Sequence, residues 1–200
     1  MALTSLKSTD ANRVYILGYT YDEYLKLVRQ FHGSEAPGVI IGGFMVDLAV
    51  RHMPAGTLYD AICETRTCLP DAIQLLTPCT IGNGWLKIIH SGRFALTLYD
   101  KASRNGTRVF LDIGRLKVWP AIEAWFLKLK TREEQDRLKI ADEIRAAGHG
   151  ILSHQSVTVR SDVAEKKHKG AIAVCAICGE AFPAEDGNTC LACSGSCPYL

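Results

Sequence analysis

Cys63 to Gly84 reads CETRTCLPDAIQLLTPCTIGNG and sets three cysteines, two prolines and a glycine turn close together. Cys68 to Leu76 has the composition of a short amphipathic helix. Pro70 sits in its first turn, where a missing N–H costs nothing, and Pro78 stops it. Leu58 to Thr65 before it reads as a strand. Trp85 to His90 and Phe94 to Tyr99 after it are β-rich runs joined by Ser91-Gly92-Arg93. Asn105-Gly106 is the strongest hairpin signal in the chain, with a strand following over Arg108 to Leu111. A helix wedged among strands joined by tight turns predicts an α+β fold, a small antiparallel sheet packed with helices.

Working outward, Val14 to Tyr19 predicts either a short buried strand or the entry to a helix. Tyr24, Leu27, Val28 and Phe31 recur at helical spacing, so a helix is expected over about Glu23 to Phe31, with Asp22 near its start. Gly33 is placed to end it, leaving His32 at a helix C-terminus. Val39 to His52 predicts a buried helix, in which Gly42 and Gly43 permit close backbone approach. Residues 116–130 predict an apolar helix around Ile122, Trp125, Phe126 and Leu129. Thr131 with Glu134 has the form of a capping box opening a charged helix to about Ala147. The expected organisation is a core over residues 1–148, a linker over 149–170 with a short strand at Val157 to Val159, and a small module over 171–200.

Composition narrows the function classes. The 200 residues are 48% apolar, ample for a packed core, and the net charge of +2 implies neither nucleic acid nor membrane by itself. The start, MALTSLKSTD, lacks the apolar segment of a secretory signal, so a cytoplasmic protein with reduced cysteines is expected. Ala36 to Val46 is too short an apolar run to span a bilayer.

Cys175-x-x-Cys178 and Cys190-x-x-Cys193 lie 11 residues apart. Each pair offers two thiolates to one ion, and two pairs complete a tetrahedron, so a structural four-cysteine zinc site is expected. Cys197 is a fifth thiol that reads as spare. Residues 171–200 carry Glu180, Glu185 and Asp186 but no Lys or Arg. A tetrathiolate zinc site adds about two negative charges, and phosphate contacts dominate nucleic-acid affinity. A structural staple or contact with a protein partner is therefore expected of this module, rather than nucleic-acid binding.

The central cysteines carry two readings. At a helix N-terminus the dipole lowers the pKa of Cys68 and makes it reactive; alternatively it is a small buried apolar group. Asp71 and Gln74 share a helix face. Cys79 would lie ~16 Å from Cys68 if helix ran between them, too far for one ion within one chain. Cys63 reads as core, and His32 is the obvious further ligand for a core metal.

Phe31-His32-Gly33, Ala36-Pro37-Gly38 and Gly42, followed by Cys68-x-x-Asp71-Ala72-Ile73-Gln74 and Cys79-Thr80-x-Gly82-x-Gly84, resemble two signature segments of the FmdE family of formylmethanofuran dehydrogenase subunits. That family is named after a molybdenum or tungsten enzyme that reduces CO₂ onto methanofuran. Some members also carry a C-terminal zinc finger. The resemblance implies an α+β core, a homodimer, and one site shared by His32, Cys68, Asp71, Gln74 and Cys79, with a second metal in the core as an option. It suggests a metal- or thiol-dependent redox or carrier subunit; the alternative is an adaptor working through its zinc finger. Ser34 and Ala36 stand where the family has a second His and a Cys, and Asn83 and Trp85 stand where its glycine turn has Lys and Asn.

Overall fold

The computed structural model describes residues 14–165 and 170–199. The chain divides into two compact units, one ending at Ala164 and the other beginning at Glu165.

Among the described residues the first unit starts with a short hairpin of two-residue strands, β1 (Tyr15–Ile16) and β2 (Tyr19–Thr20). Thr20, not Asp22, caps α1 (Tyr21–His32), in a reciprocal capping box with Glu23. Gly33 ends α1 in the left-handed conformation, as expected, and its N–H returns to the Arg29 carbonyl. Next is α2 (Pro37–Arg51), buried along most of its length. A Cβ on Gly43 would lie 2.5 Å from the Tyr24 ring of α1, so this glycine sets the spacing of the two helices.

β3 (Tyr59–Cys63) leads into α3 (Leu69–Leu76), and α3 returns to β4 (Leu86–Ile88). A Cβ on Gly42 of α2 would lie 2.6 Å from the Ala72 Cβ of α3, the close approach its sequence predicts. β5 (Ala95–Asp100) and β6 (Asn105–Leu111) form a hairpin, followed by α4 (Ile113–Leu116), α5 (Pro120–Phe126), α6 (Arg137–Ala147), β7 (Leu152–Thr158) and α7 (Ser161–Ala164). The sheet runs β4-β3-β5-β6-β7. It is antiparallel except for β3–β4, which pair in parallel because α3 serves as the crossover between them. Buried Leu96, Leu98, Val109 and Leu111 on β5 and β6 join α2 in one core.

Other expectations shift. The β5–β6 turn is residues 101–104, tied by Asp100, which accepts from the Ala102 and Ser103 amides, and by Arg104 at φ +64°. Asn105 and Gly106 belong to β6, where a Cβ on Gly106 would meet the Leu98 carbonyl at 2.1 Å. Of the apolar stretch at 116–130 only Pro120–Phe126 (α5) is helix: α4 ends at Leu116, and the chain enters α5 at Trp119-Pro120. Glu134 does accept from the Thr131 amide, but α6 starts six residues later, on an Asp136 cap. The largest difference is at 149–170, which reads from sequence as a linker. Residues 152–158 are instead a full edge strand paired along the whole of β6. Only Leu152 on it is buried, so its alternation is too polar to announce a strand.

The second unit is built on the hairpin of β8 (Ile172–Val174) and β9 (Ala181–Pro183), with a turn of helix over Ala192–Ser196. Among the described residues no helix is long and apolar enough to cross a membrane.

Candidate functional site

Cys68 sits beyond the carboxyl end of β3 at the start of α3, where open α/β sheets commonly bind ligands. Its backbone is at φ +58°, ψ −54°, and the Leu69 amide reaches back 2.6 Å to the Thr67 carbonyl. This is the strained, rarely adopted form of the γ-turn, centred on a residue with a side chain. Gly38, in the first turn of α2, makes room for it: a Cβ there would lie 2.8 Å from the Cys68 Cβ and 3.1 Å from its Sγ. Phe94 adjoins the same spot and packs edge-on against Phe126 at 5.8 Å.

His32, at the C-terminus of α1, donates from Nδ1 to the Asp71 Oδ2 at 2.6 Å. The carboxylate accepts only, so this bond fixes the tautomer and leaves Nε2 for other work. Asp71 also faces Cys68. Burial first, and the Asp71 charge second, push the Cys68 thiol above its ordinary value, while the Lys128 ammonium pulls it down. Of the two sequence readings of Cys68, the shift runs against the one with a pKa lowered by the helix N-terminus. A half-buried thiol beside a carboxylate keeps its proton until something arrives that stabilises the thiolate.

The two ends of α3 differ. The Gln74 side-chain oxygen accepts from the Ile81 amide, and Asn83 bridges Thr80, Trp85 and the Pro78 carbonyl. Those residues build the turn after α3. Cys79 is wholly buried, 3.7 Å from the Tyr59 carbonyl. The structure thus gathers His32, Cys68 and Asp71 at one end of the helix and leaves Gln74 and Cys79 at the other. Cys63 is core, as expected: it donates to the Thr65 carbonyl, and burial pushes its thiol up to about 11. Sequence reasoning misses Lys128, which is remote in the chain, and Asp47 with His149. Asp47 accepts from His149 at 2.6 Å, Arg51 at 2.8 Å and the Leu17 amide at 3.0 Å. In sequence, His149 reads as part of a glycine-flanked helix stop.

In the second unit the Sγ atoms of Cys175, Cys178, Cys190 and Cys193 all lie within 4.8 Å of one another. A tetrahedron with Zn–S of about 2.3 Å has edges of about 3.8 Å, and the Cys178–Cys190 edge is 3.8 Å. The Cys175 sulfur accepts from the Cys190 amide at 3.5 Å, and backbone N–H groups of Cys178 and Cys190 pull its thiol down to about 6. Gly179 makes the first knuckle at φ +77°. The donor set fits zinc, and zinc is its structural ion. Cys197 is exposed and outside the tetrad. Among the described residues this is the only group of three or more His, Cys, Asp or Glu close enough to share an ion.

A mixed-sheet core with a paired His–Asp beside a strained cysteine, joined to a tetrathiolate zinc finger, defines a two-part protein class. The chain belongs to the family described as "FmdE, Molybdenum formylmethanofuran dehydrogenase operon", which it matches over residues 31–159. Residues 166–200 match the FmdE treble clef zinc finger. A solved structure of a tungsten formylmethanofuran dehydrogenase FmdE-like protein from Syntrophus aciditrophicus is 55% identical, with a TM-score of 0.87, over 94% of this chain and 99% of that one. A curated Archaeoglobus fulgidus protein, named a probable S-adenosyl-L-methionine-binding protein, is 27% identical over 84% of this chain. The chain spans about half (51%) of that relative's length.

Proposed function

We propose that the chain is a metal- or thiol-dependent redox or carrier protein of the FmdE type, with Cys68 as its working group. The observation that carries this reading is the placement of an ordinary side chain at a strained turn, with Gly38 cleared from above it and a His32–Asp71 pair beside it. Asp71 orients the imidazole, and His32 Nε2 is the second donor of the site or the base that takes the thiol proton. Both donors are of the kind that suits a soft or borderline transition metal. The test is metal per full-length chain, with the rate of thiol alkylation, in wild type, Cys68→Ser and Asp71→Asn. Loss of the metal beyond the finger's one zinc, or of the reactive thiol, in Cys68→Ser is expected. Unchanged metal content and alkylation there would sink the proposal.

A second reading, an adaptor that contacts a protein partner through its finger, is favoured by the finger's surface. Ile172, Val174, Ile177 and Leu191 are exposed within residues 171–200, a stretch that follows Lys166, Lys167 and Lys169 and itself has no Lys or Arg. The same absence of Lys and Arg argues against nucleic acid as the partner.

A further inference from the structure

The geometry points to a second binding site, at the opposite end of the sheet from Cys68, for the vicinal diol of an uncharged sugar ring, as a nucleoside or a monosaccharide carries it. It goes beyond the reading of Cys68 and does not depend on it.

Cys68 stands past the end of β3, and the connection from α2 enters at that strand's start. Residues two apart on a strand share a face. Asn105 and Thr107 of β6 therefore share a face with Val109 and Leu111, which belong to the core around α2. α2 gives out at Arg51, and beyond it Thr107 and Asn105 pair with Ser156 and Thr158 of β7. The connection over 52–58 turns at Pro54, whose carbonyl accepts from the Thr57 amide at 3.2 Å and from its hydroxyl at 2.7 Å. Between this connection and the two strands lies a cavity of about 500 Å³, the size of a small-molecule site.

Its chemistry is mostly neutral hydroxyl, with one carboxylate. Thr57, Ser103, Thr107, Ser156 and Thr158 line it, with Asp100 from the end of β5. Thr107 decides the reading. It is 6% exposed, and among the described residues its hydroxyl has no hydrogen-bond partner. Buried polar groups are rarely left so, and this one lines a cavity where a ligand hydroxyl would satisfy it. Asp100 Oδ1 accepts from the Ala102 and Ser103 amides at 3.0 and 2.6 Å, which fixes the carboxylate and leaves lone pairs on Oδ2. Met53, Pro54 and Val157 add apolar surface. The His52 ring is held by its Nδ1 bond to the Leu48 carbonyl at 2.8 Å and by the His154 ring at 3.9 Å.

No Lys or Arg lines the cavity. Of the cations next to lining residues in sequence, Lys101 is held by Asp60 at 3.1 Å and the Trp85 ring, and Arg51 by Asp47. Arg104 belongs to the β5–β6 turn and is not a lining residue. The C-terminus of α2 adds partial negative charge, so a phosphate or carboxylate is disfavoured. A carboxylate accepts, and hydroxyls both donate and accept, which complements two adjacent ring hydroxyls; dinucleotide folds hold ribose with an acidic side chain in the same way.

The test is amide NMR of the zinc-loaded full chain, titrated with adenosine and, separately, with methyl glucoside. Saturable shifts confined to 52–57, 100–107 and 156–158 are expected with one or both. Adenosine alone assigns a nucleoside, and the glucoside alone a free sugar. Removing the hydroxyl next to the anomeric carbon (the 2-deoxy form of either probe) weakens binding about tenfold or more. Adding a phosphate (adenosine monophosphate or glucose 6-phosphate) does the same, and Asp100→Asn narrows that gap. Asp100→Asn and Thr107→Val each weaken the neutral probe about tenfold. Thr107→Val keeps the side chain's shape, and an unchanged urea midpoint shows that it still folds. No saturable shift with either probe, shifts centred on α3, equal binding of the phosphorylated form, or indifference to both substitutions each overturns the inference, and none of these outcomes touches the reading of Cys68.

Discussion

The two units hold together by different means. The first packs buried helices and sheet into one apolar core around α2, and its buried carboxylates are paired: Asp47 with His149 and Arg51, Asp60 with Lys101, Glu64 with Arg108. The second has Phe182 and Cys175 as its only buried hydrophobic residues among those described, so its free energy of folding lies in four sulfur–metal bonds. The lesson is that one chain has two independent points of failure, and conditions exist that strike one and spare the other.

The largest effect should come from removing the ion. A chelator, or Cys190→Ser, should unfold the finger completely, a loss on the scale of about 10 kcal/mol, while the core keeps its structure. Amide NMR dispersion would show signals of 170–199 collapsing alone; loss of core signals with them would break the comparison. Acidification should sharpen it. Thiolate ligands take up protons and release the metal first. In the core, burial pushes the Glu64 carboxyl upward, but Arg108, Arg93 and Ser91 outweigh burial and hold it below the usual range. A depressed folded pKa gives stability that is present above the unfolded value of about 4.3 and lost as pH falls through the folded one. Core melting should therefore begin only below about pH 4, after zinc release, as followed by near-ultraviolet circular dichroism.

Next in size is Arg108→Ala. It removes a bidentate partner, at 2.5 and 3.0 Å, from a carboxylate whose side chain is 8% exposed, and should cost about 3 kcal/mol in urea unfolding with no change in zinc affinity. Gly43→Ala should cost about 2 kcal/mol, because its methyl meets the Tyr24 ring. The smallest effect runs the other way. Cys68→Gly should raise core stability by about 1 kcal/mol by relieving the γ-turn, while abolishing thiol reactivity. A destabilised Cys68→Gly would show that the turn stores no strain.

The metal site was fully legible, because a paired Cys-x-x-Cys spacing states its own geometry. So were α1, α2 and α3, whose spacing, Gly33 and Pro70 are local signals. The parallel β3–β4 pair was not, since strand direction depends on where the crossover docks. β7 hid because Gln155 and Ser156 look like loop. In the core, the sequence grouped His32, Cys68, Asp71, Gln74 and Cys79, and the structure sets the first three at one end of α3 and the last two at the other. A signature segment can hold residues that stand at opposite ends of one helix, and only the fold separates the two.

β7 also has a consequence for how the protein is made. It closes the sheet by pairing with β6, a strand about forty residues or more behind it in the chain. Until that stretch leaves the ribosome, β6 is an open edge beside a nearly complete apolar core, the situation in which nascent chains pair with the wrong neighbour. The polar character that concealed β7 in the sequence suits its place: once laid down, Ser153, Gln155 and Thr158 make it the edge that the finished sheet shows to solvent, and a poor template for any further strand.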